Sequence, residues 1–363
     1  MQHFLWGKVV LVLVAVVAVL QVVHLILLSR LEARHHHHDD QSDQLASAGN
    51  EVEAAFAVLV RSLHQGRVLD SSGEYQLVPN LAPATRLPQL RVSSSLPDIA
   101  LVTQCSFNHL HRVVTLIQRW QGPISVAVFA EDHDLSEALW TIVGLRLCYS
   151  AIRHNVSFQL VSPLPAGGRP PLSVPQDPAH PCQLPTPSRS EQQRNYAGSR
   201  RFPNNLLRNV ARRGAATEFV LVVDIDMLPS VNLRQDFYDF AVKNRLFTES
   251  HREDKTVYVV PAFEVRETVP VPRHKAELLQ LADQGHLRPF YIELCWKCQV
   301  CELHVAGYKF SVLNNGFLVH HGLKTATSFH VNKDMDQERN RMLFRQFKTE
   351  LRDKYPESSR RCY

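Results

Sequence analysis

The first long apolar run covers residues 9–28, VVLVLVAVVAVLQVVHLILL, interrupted only by Gln21 and His24. As a helix it would measure about 30 Å, the thickness of the hydrocarbon core of a bilayer. A cleaved secretory signal would carry a shorter apolar region and a small-residue cleavage site. Here the run gives way to SRLEARHHHHDD, so the pattern predicts an uncleaved signal anchor after a tail of residues 1–8. Lys8 lies on one side of it and Arg30 and Arg34 on the other, so charge alone leaves its orientation open. Residues 29–96 read as a stem, with a short helical stretch near Val52–Leu63 and then the Pro- and Ser-rich LAPATRLPQLRVSSSLPD. The His35–His38 run sits in polar surroundings and reads as solvated tether.

The pattern changes at residue 97. DIALVTQCS (98–106) is a compact apolar run, the mark of a buried strand. In NHLHRVVTLIQRW (108–120), Leu110, Val113, Val114, Ile117 and Trp120 fall on one helical face. ISVAVFA (124–130) reads as a second strand, so strand, helix and strand predict an α/β sheet with parallel neighbours. A Pro-rich excursion covers 162–188. FPNNLLRNVARRGA (202–215) then reads as a helix leading into the strand EFVLVVDIDMLPS (218–230). Near the C-terminus, Met342, Leu343, Phe344, Phe347 and Leu351 are spaced for one helical face.

Composition changes this picture little. A 45% hydrophobic and 21% charged chain of 363 residues is an ordinary globular protein with a filled core. A net charge of +5, with no basic track interleaved with aromatics, argues against a nucleic-acid partner. Seven cysteines permit disulfides if residues 97–363 are lumenal, and the odd count leaves at least one thiol unpaired. The single glycosylation sequon, at Asn155, agrees with lumenal exposure.

The candidate chemistry lies where the 218–230 strand turns acidic, at Asp224 and Asp226. Residues two apart in an extended strand point the same way, so both carboxylates can face one hard cation, Mn²⁺ or Mg²⁺. Such a metal can bridge the protein to a nucleotide diphosphate and offset charge on the leaving group. NNGFLVHHGLK (314–324) offers His320 and His321 as a further ligand and Lys324 to neutralise phosphate. Arg208 and Asn205, on the helix before the acidic strand, and Thr103 and Gln104, at the end of the first strand, are candidate donor contacts. In CWKCQVCELH (295–304), Cys295, Cys298, Cys301 and His304 recur every three residues, a spacing able to converge on zinc or an iron–sulfur cluster.

Six segments, FPNNLLRN, DIDMLPS, VVPAFEVR, CELHVAG, GFLVHHGLK and RQFKTELRDKYPESSRRC, resemble in order the LARGE-related glucuronyltransferase family. The resemblance runs from the anchor to the C-terminus and is strongest after Phe202. It implies a GT-A glycosyltransferase fold for residues 97–363 and a single-pass type II orientation in the Golgi membrane, with the catalytic domain lumenal. It also implies UDP-glucuronic acid as donor and Mn²⁺ held by Asp224, Asp226 and His320. The implied reaction is an inverting β1,4 transfer to xylose on the O-mannosyl glycan of α-dystroglycan, priming a chain that LARGE-type glycosyltransferases extend.

The chain departs from this family at one place. The stretches resembling RPFYIELCWKCQ and CELHVAGYKF are separated in the family by several dozen residues, rich in aromatic and acidic side chains, that complete the acceptor side. Here they meet at Gln299 and Val300, which makes CWKCQVCELH a seam rather than a ligand set. The general base would be expected in the absent segment. Glu264, Glu267 and Glu293 are the acids remaining near the gap, and spacing promotes none of them. Two readings follow: an active glucuronyltransferase, or a catalytically impaired shortened form that binds nucleotide or a Golgi partner.

Overall fold

A computed structural model describes residues 21, 50–86, 96–164, 172, 182, 202–248, 254–290, 298–323 and 333–362. The chain divides into two compact units, residues 1–55 with 176–180, and residues 56–175 with 181–363. No helix among the described residues is long and apolar enough to cross a membrane. The predicted anchor, 9–28, lies outside the described residues apart from Gln21.

The second unit is mixed α/β. Helix α1 (residues 50–65) belongs to this unit from Phe56 on, and after it come β1 (Val68–Leu69), β2 (Tyr75–Ala82) and the long β3 (Leu96–Ser106). Then follow α2 (Arg112–Trp120), β4 (Ile124–Phe129), α3 (Leu135–Cys148), α4 (Ser150–Asn155), β5 (Val156–Pro163), α5 (Asn204–Arg213) and β6 (Thr217–Val222). These strands form one sheet in the order β1-β2-β5-β4-β3-β6. The β5-β4-β3-β6 block is parallel throughout. Each of its strands is followed by helix before the next, as parallel pairing requires.

The apolar runs predicted as strands 98–106 and 124–130 are β3 and β4, and every residue of β4 is buried. Helix 108–120 begins later than its pattern suggests. A 3-10 turn at Phe107–His109 precedes α2, whose buried face is Val113, Leu116, Ile117 and Trp120. Residues 75–82, which read as stem, form β2 and pair antiparallel with β5. The sheet therefore takes in chain that a Pro-rich segment separates from it in sequence.

Register fixes which side chains share a face. Val102 lies opposite Ser125 and Gln104 opposite Ala127, so Gln104 points to the same side as Val102, Ala127 and Phe129. That side is covered by α5 through Phe202, Leu207, Val210 and Ala211. Thr103 and Cys105 face the other way, and both are fully buried.

After β6 the chain enters a second sheet. The remaining elements are β7 (Met227–Pro229), α6 (Leu233–Lys243), β8 (Thr256–Val259), β9 (Ala262–Val265), α7 (Lys275–Asp283), β10 (Leu287–Pro289), α8 (Cys298–Val305), β11 (Lys309–Val312), β12 (Leu318–His321) and α9 (Lys333–Lys354). The second sheet has the order β10-β9-β12-β7, and β8 pairs with β11 in a separate parallel ribbon. Two expectations change here. The 218–230 run is not one strand buried on both faces, because β6 is an edge strand with Val222 43% exposed. In α9, Met342 and Leu343 are exposed, and the packed face is Phe344, Phe347 and Leu351 against Cys301, Val305 and Tyr355.

The described residues contain two disulfides, Cys148–Cys182 and Cys301–Cys362, and one free thiol, the buried Cys105. Cys301 is therefore not available as a metal ligand, which removes one member of the CWKCQVCELH set. Cys295 and the side chain of Cys298 lie outside the described residues.

Helix α5 approaches the sheet so closely that its C-terminal Gly214 has no room for a side chain. A Cβ there would meet Gln159 Nε2 at 2.4 Å and Ser125 Oγ at 2.9 Å. Ser125 Oγ already donates to the Ala211 carbonyl at 2.6 Å, so it cannot yield freely. Gly214→Ala is expected to cost about 1–3 kcal/mol by overpacking, read as a lower midpoint in urea unfolding.

Candidate functional site

In the order β5-β4-β3-β6, the chain runs outward from β3 in both directions, so β3 and β6 flank the switch point of the sheet. Ligands of doubly wound sheets lie outside the carboxyl ends of the strands at that point. Pairing of β3 with β6 stops at Val102 and Val222, while β3 continues alongside β4 to Ser106. The last four residues of β3 thus project past β6, at the position where sheets of this kind place their ligand crevice.

Asp224 sits on the rim of that crevice. Gln104 Nε2 donates to Asp224 Oδ1 at 2.7 Å, and Arg208 Nη2 donates to the same oxygen at 2.9 Å. Each donor is placed by packing already described: Gln104 by the β3 register, Arg208 by the burial of Leu207 and Ala211 on α5. Gln104 and Arg208 therefore meet the acidic motif itself. Asn205, one turn earlier on α5, is exposed and is not among the contacts of Asp224.

The two aspartates do not point the same way. Residues 225–226 form a turn, closed by a hydrogen bond from Met227 N to the Asp224 carbonyl at 3.0 Å. The turn carries Asp226 toward the second sheet, where its Oδ2 lies 3.1 Å from His320 Nε2. His320 stands on β12 opposite Met227 on one side and Glu264 on the other. Its Nδ1 donates to the Gly322 carbonyl at 2.6 Å, which requires a proton on Nδ1 because a carbonyl only accepts. The Phe290 ring packs against the imidazole at 5.6 Å. Beside it Glu264, 1% exposed, accepts from Arg288 Nε at 2.9 Å.

This arrangement tests the expected three-ligand metal set. Among the described residues, no group of three or more His, Cys, Asp or Glu side chains is disposed to hold a metal ion. Asp224 is drawn away by Gln104 and Arg208. Asp226 and His320 remain together, and a ring nitrogen bonded to a backbone carbonyl behind the other is the usual support of a metal-binding imidazole. Lys324 lies outside the described residues.

The carboxyl edge also holds groups that the sequence pattern did not single out. Five buried side-chain polar atoms among the described residues lack a hydrogen-bond partner, and four of them are here: Thr103 Oγ1, Gln104 Oε1, Arg112 Nε and Glu131 Oε1. Glu131 comes two residues after β4, so a charged residue closing an apolar run was the available signal. His109, 2% exposed, lies within hydrogen-bond reach of Ser106 Oγ and Asn108 Oδ1 through its Nδ1. Burial, then the Arg112 charge, lowers the pKa of neighbouring His111, partly offset by its bond to the Asn108 carbonyl. Burial pushes the Cys105 thiol up to about 12, with Arg112 opposing.

The sequon at Asn155 falls on the junction of α4 and β5, with Asn155 Nδ2 donating to the Ala151 carbonyl at 2.9 Å. Of the acids near the seam, Glu264 is held by Arg288. Glu267 is exposed beside Gly322, and Glu293 lies outside the described residues.

A parallel sheet with a polar crevice at its switch point places the protein in the doubly wound α/β class. A family model described as "Glycosyl-transferase for dystroglycan" matches residues 98–300 and 299–356. Beta-1,4-glucuronyltransferase 1 of Danio rerio is 33% identical over 428 residues, covering 98% of each chain. The human protein of that name is 34% identical over 382 residues, 86% of this chain and 87% of its own. Human xylosyl- and glucuronyltransferase LARGE1 is 29% identical over 194 residues, 53% of this chain and 20% of its own. The chain belongs to the dystroglycan glycosyltransferase family.

The family match breaks where the sequence departs from its relatives, its two parts abutting at residues 299–300. The alignment with the Danio rerio relative is 428 positions long against 363 residues in this chain, so dozens of its positions have no counterpart here.

A thiol with its pKa near 12 and no solvent access should not alkylate. At pH 8, iodoacetamide is expected to leave Cys105 unmodified in the native protein and to label it after unfolding, as read by peptide mass mapping.

Proposed function

We propose that the chain is a glucuronyltransferase of GT-A fold. It binds UDP-glucuronic acid at the carboxyl edge of β3, β4 and β6 and acts in building the O-mannosyl glycan of α-dystroglycan. The observation that carries this reading is the concentration of buried, unpartnered polar atoms along the edge beside Asp224. Buried polar groups in native proteins are almost always paired, so a cluster of unpaired ones at a strand-end crevice fits a polar ligand. The acceptor is a terminal xylose extended in β1,4 linkage. The setting is the Golgi lumen, with residues 9–28 as the anchor of a type II membrane protein.

Asp226 and His320 would hold Mn²⁺, while Gln104 and Arg208 hold Asp224 at the edge of the first sheet. When bound, a divalent cation neutralises charge on a departing nucleoside diphosphate. The chain's own groups act around it. The Gly322 carbonyl fixes the imidazole so that Nε2 faces the carboxylate. Arg208, 30% exposed at its side chain, presents guanidinium donors that Asp224 does not use to the space a diphosphate would enter. Inversion in a single displacement requires a base for the acceptor hydroxyl. Glu264 is buried and ion-paired, so it suits support of β12 better than that task.

A second reading is favoured by the break at 299–300. If the residues absent there position the acceptor, the chain binds donor and transfers slowly, since orientation and general-base contributions are each worth orders of magnitude.

Calorimetry with UDP is expected to show binding that needs Mn²⁺ and weakens by at least about tenfold in Asp226→Asn and His320→Ala. Unchanged binding in both would remove the donor-site assignment. Transfer from UDP-glucuronate to a xylose-terminated acceptor then separates the two readings. Turnover comparable to the relatives' would discard impairment, and binding without turnover would establish it.

A further inference from the structure

A second concavity lies apart from the strand-end crevice, between α9 and the C-terminal segment. It encloses about 240 Å³ and is lined by Lys348, Arg352, Arg360 and Arg361 over an apolar floor that includes Val305 and Leu351. No acidic side chain lines it, and none of the four cations makes an ion pair among the described residues. Lys348 rests over the Phe344 ring at 5.3 Å. The nearby carboxylate Glu302 is taken by Lys354 and Tyr355.

Three of these cations are oriented by neutral acceptors. Arg360 Nη1 donates to the His304 and Tyr308 carbonyls at 3.3 and 2.9 Å. Arg361 Nη1 donates to the Arg360 carbonyl at 3.0 Å and Arg352 Nη2 to Thr349 Oγ1 at 3.3 Å. Each guanidinium has five donors, so these bonds aim it without exhausting it. The Cys301–Cys362 disulfide holds the Arg360–Arg361 segment against α8. Four like charges converge on a pocket about the size of one sugar unit, and their mutual repulsion is relieved by an anion and by nothing else lining it.

We propose that this pocket binds a sugar carrying a phosphate monoester, whose charge approaches about −2 at pH 7. A single carboxylate, or a sulfate ester with its single charge, would leave most of the charge unbalanced, whereas a phosphate monoester offers more charge and presents its oxygens to several forks at once. The site stands independently of donor binding at Asp226 and His320.

The test is calorimetric titration of the full chain at fixed ionic strength with a sugar 6-phosphate, a 6-sulfated sugar, free glucuronate and the unesterified sugar. The phosphate ester should bind about tenfold or more tighter than glucuronate, and tighter than the singly charged sulfate ester. Lys348→Gln with Arg352→Gln should weaken that binding by about tenfold and leave Mn²⁺-dependent UDP binding unchanged. Asp226→Asn should do the reverse. Should the double variant melt early, Arg361→Gln, at an exposed side chain, carries the same expectation. Phosphate-ester binding no tighter than that of glucuronate or the sulfate ester, or binding insensitive to these substitutions, overturns the proposal whatever the outcome at the donor site.

Discussion

The turn from Asp224 to Met227 is the constraint on which the candidate site depends. Pairing with β3 ends at Val222, and one further bond, Val223 N to the Val102 carbonyl at 3.0 Å, holds the chain to the first sheet. Within four residues the backbone has reversed and entered the second sheet as β7. Asp224 therefore belongs to the first sheet, where Gln104 and Arg208 hold it, and Asp226 to the second, where it meets His320. The acidic motif is a junction between two sheets, and its two carboxylates answer to different neighbours because of that.

This explains why the sequence pattern located the candidate site but not its geometry. A run of apolar residues ending in Asp-x-Asp correctly placed acidic groups at the carboxyl edge of a parallel sheet. The inference that both point one way assumed an extended backbone through residue 226, and the turn breaks it. Gln104 and Arg208 were legible as neighbours of the site, because the end of β3 and the helix before β6 must come together at a switch point. That they converge on one oxygen of Asp224 depends on register, which a one-residue shift would invert. Glu131 and Arg112 escaped notice because neither belongs to a motif. Only the pairing of β4 with β3 brings them to the same edge.

Parts of the fold follow from local pattern and parts from pairing at long range. β3, β4 and α5 carry their own periodicity, and the structure keeps them within a few residues. β2 does not announce itself as part of the sheet. A stretch of Pro- and Ser-rich chain hides its relation to β5, and antiparallel pairing across some eighty residues restores it. The β6 run is nearly as apolar as β4, yet it lies at an edge, since composition says a strand is buried but not how many neighbours cover it.

The break at residues 299–300 falls between β10 and β11, and the placement of the candidate donor groups bears on what it removes. Gln104, Arg208 and Asp224 are set by the first sheet and α5, and Asp226 and His320 by β7 and β12. None of these elements comes from residues 291–312. Downstream of the break, Cys301–Cys362 ties α8 to the C-terminal segment, closing a loop of 61 residues worth about 4 kcal/mol of unfolded-state entropy. The exposed Phe310 and Val312 of β11 and the open edge of β6 at Val222 show apolar surface on elements flanking the same region. A chain shortened there keeps the scaffold of its strand-end crevice while changing what covers the ribbon beside it. Loss of residues at the break and retention of the candidate donor groups are therefore separable on this fold, and the first does not entail loss of the second.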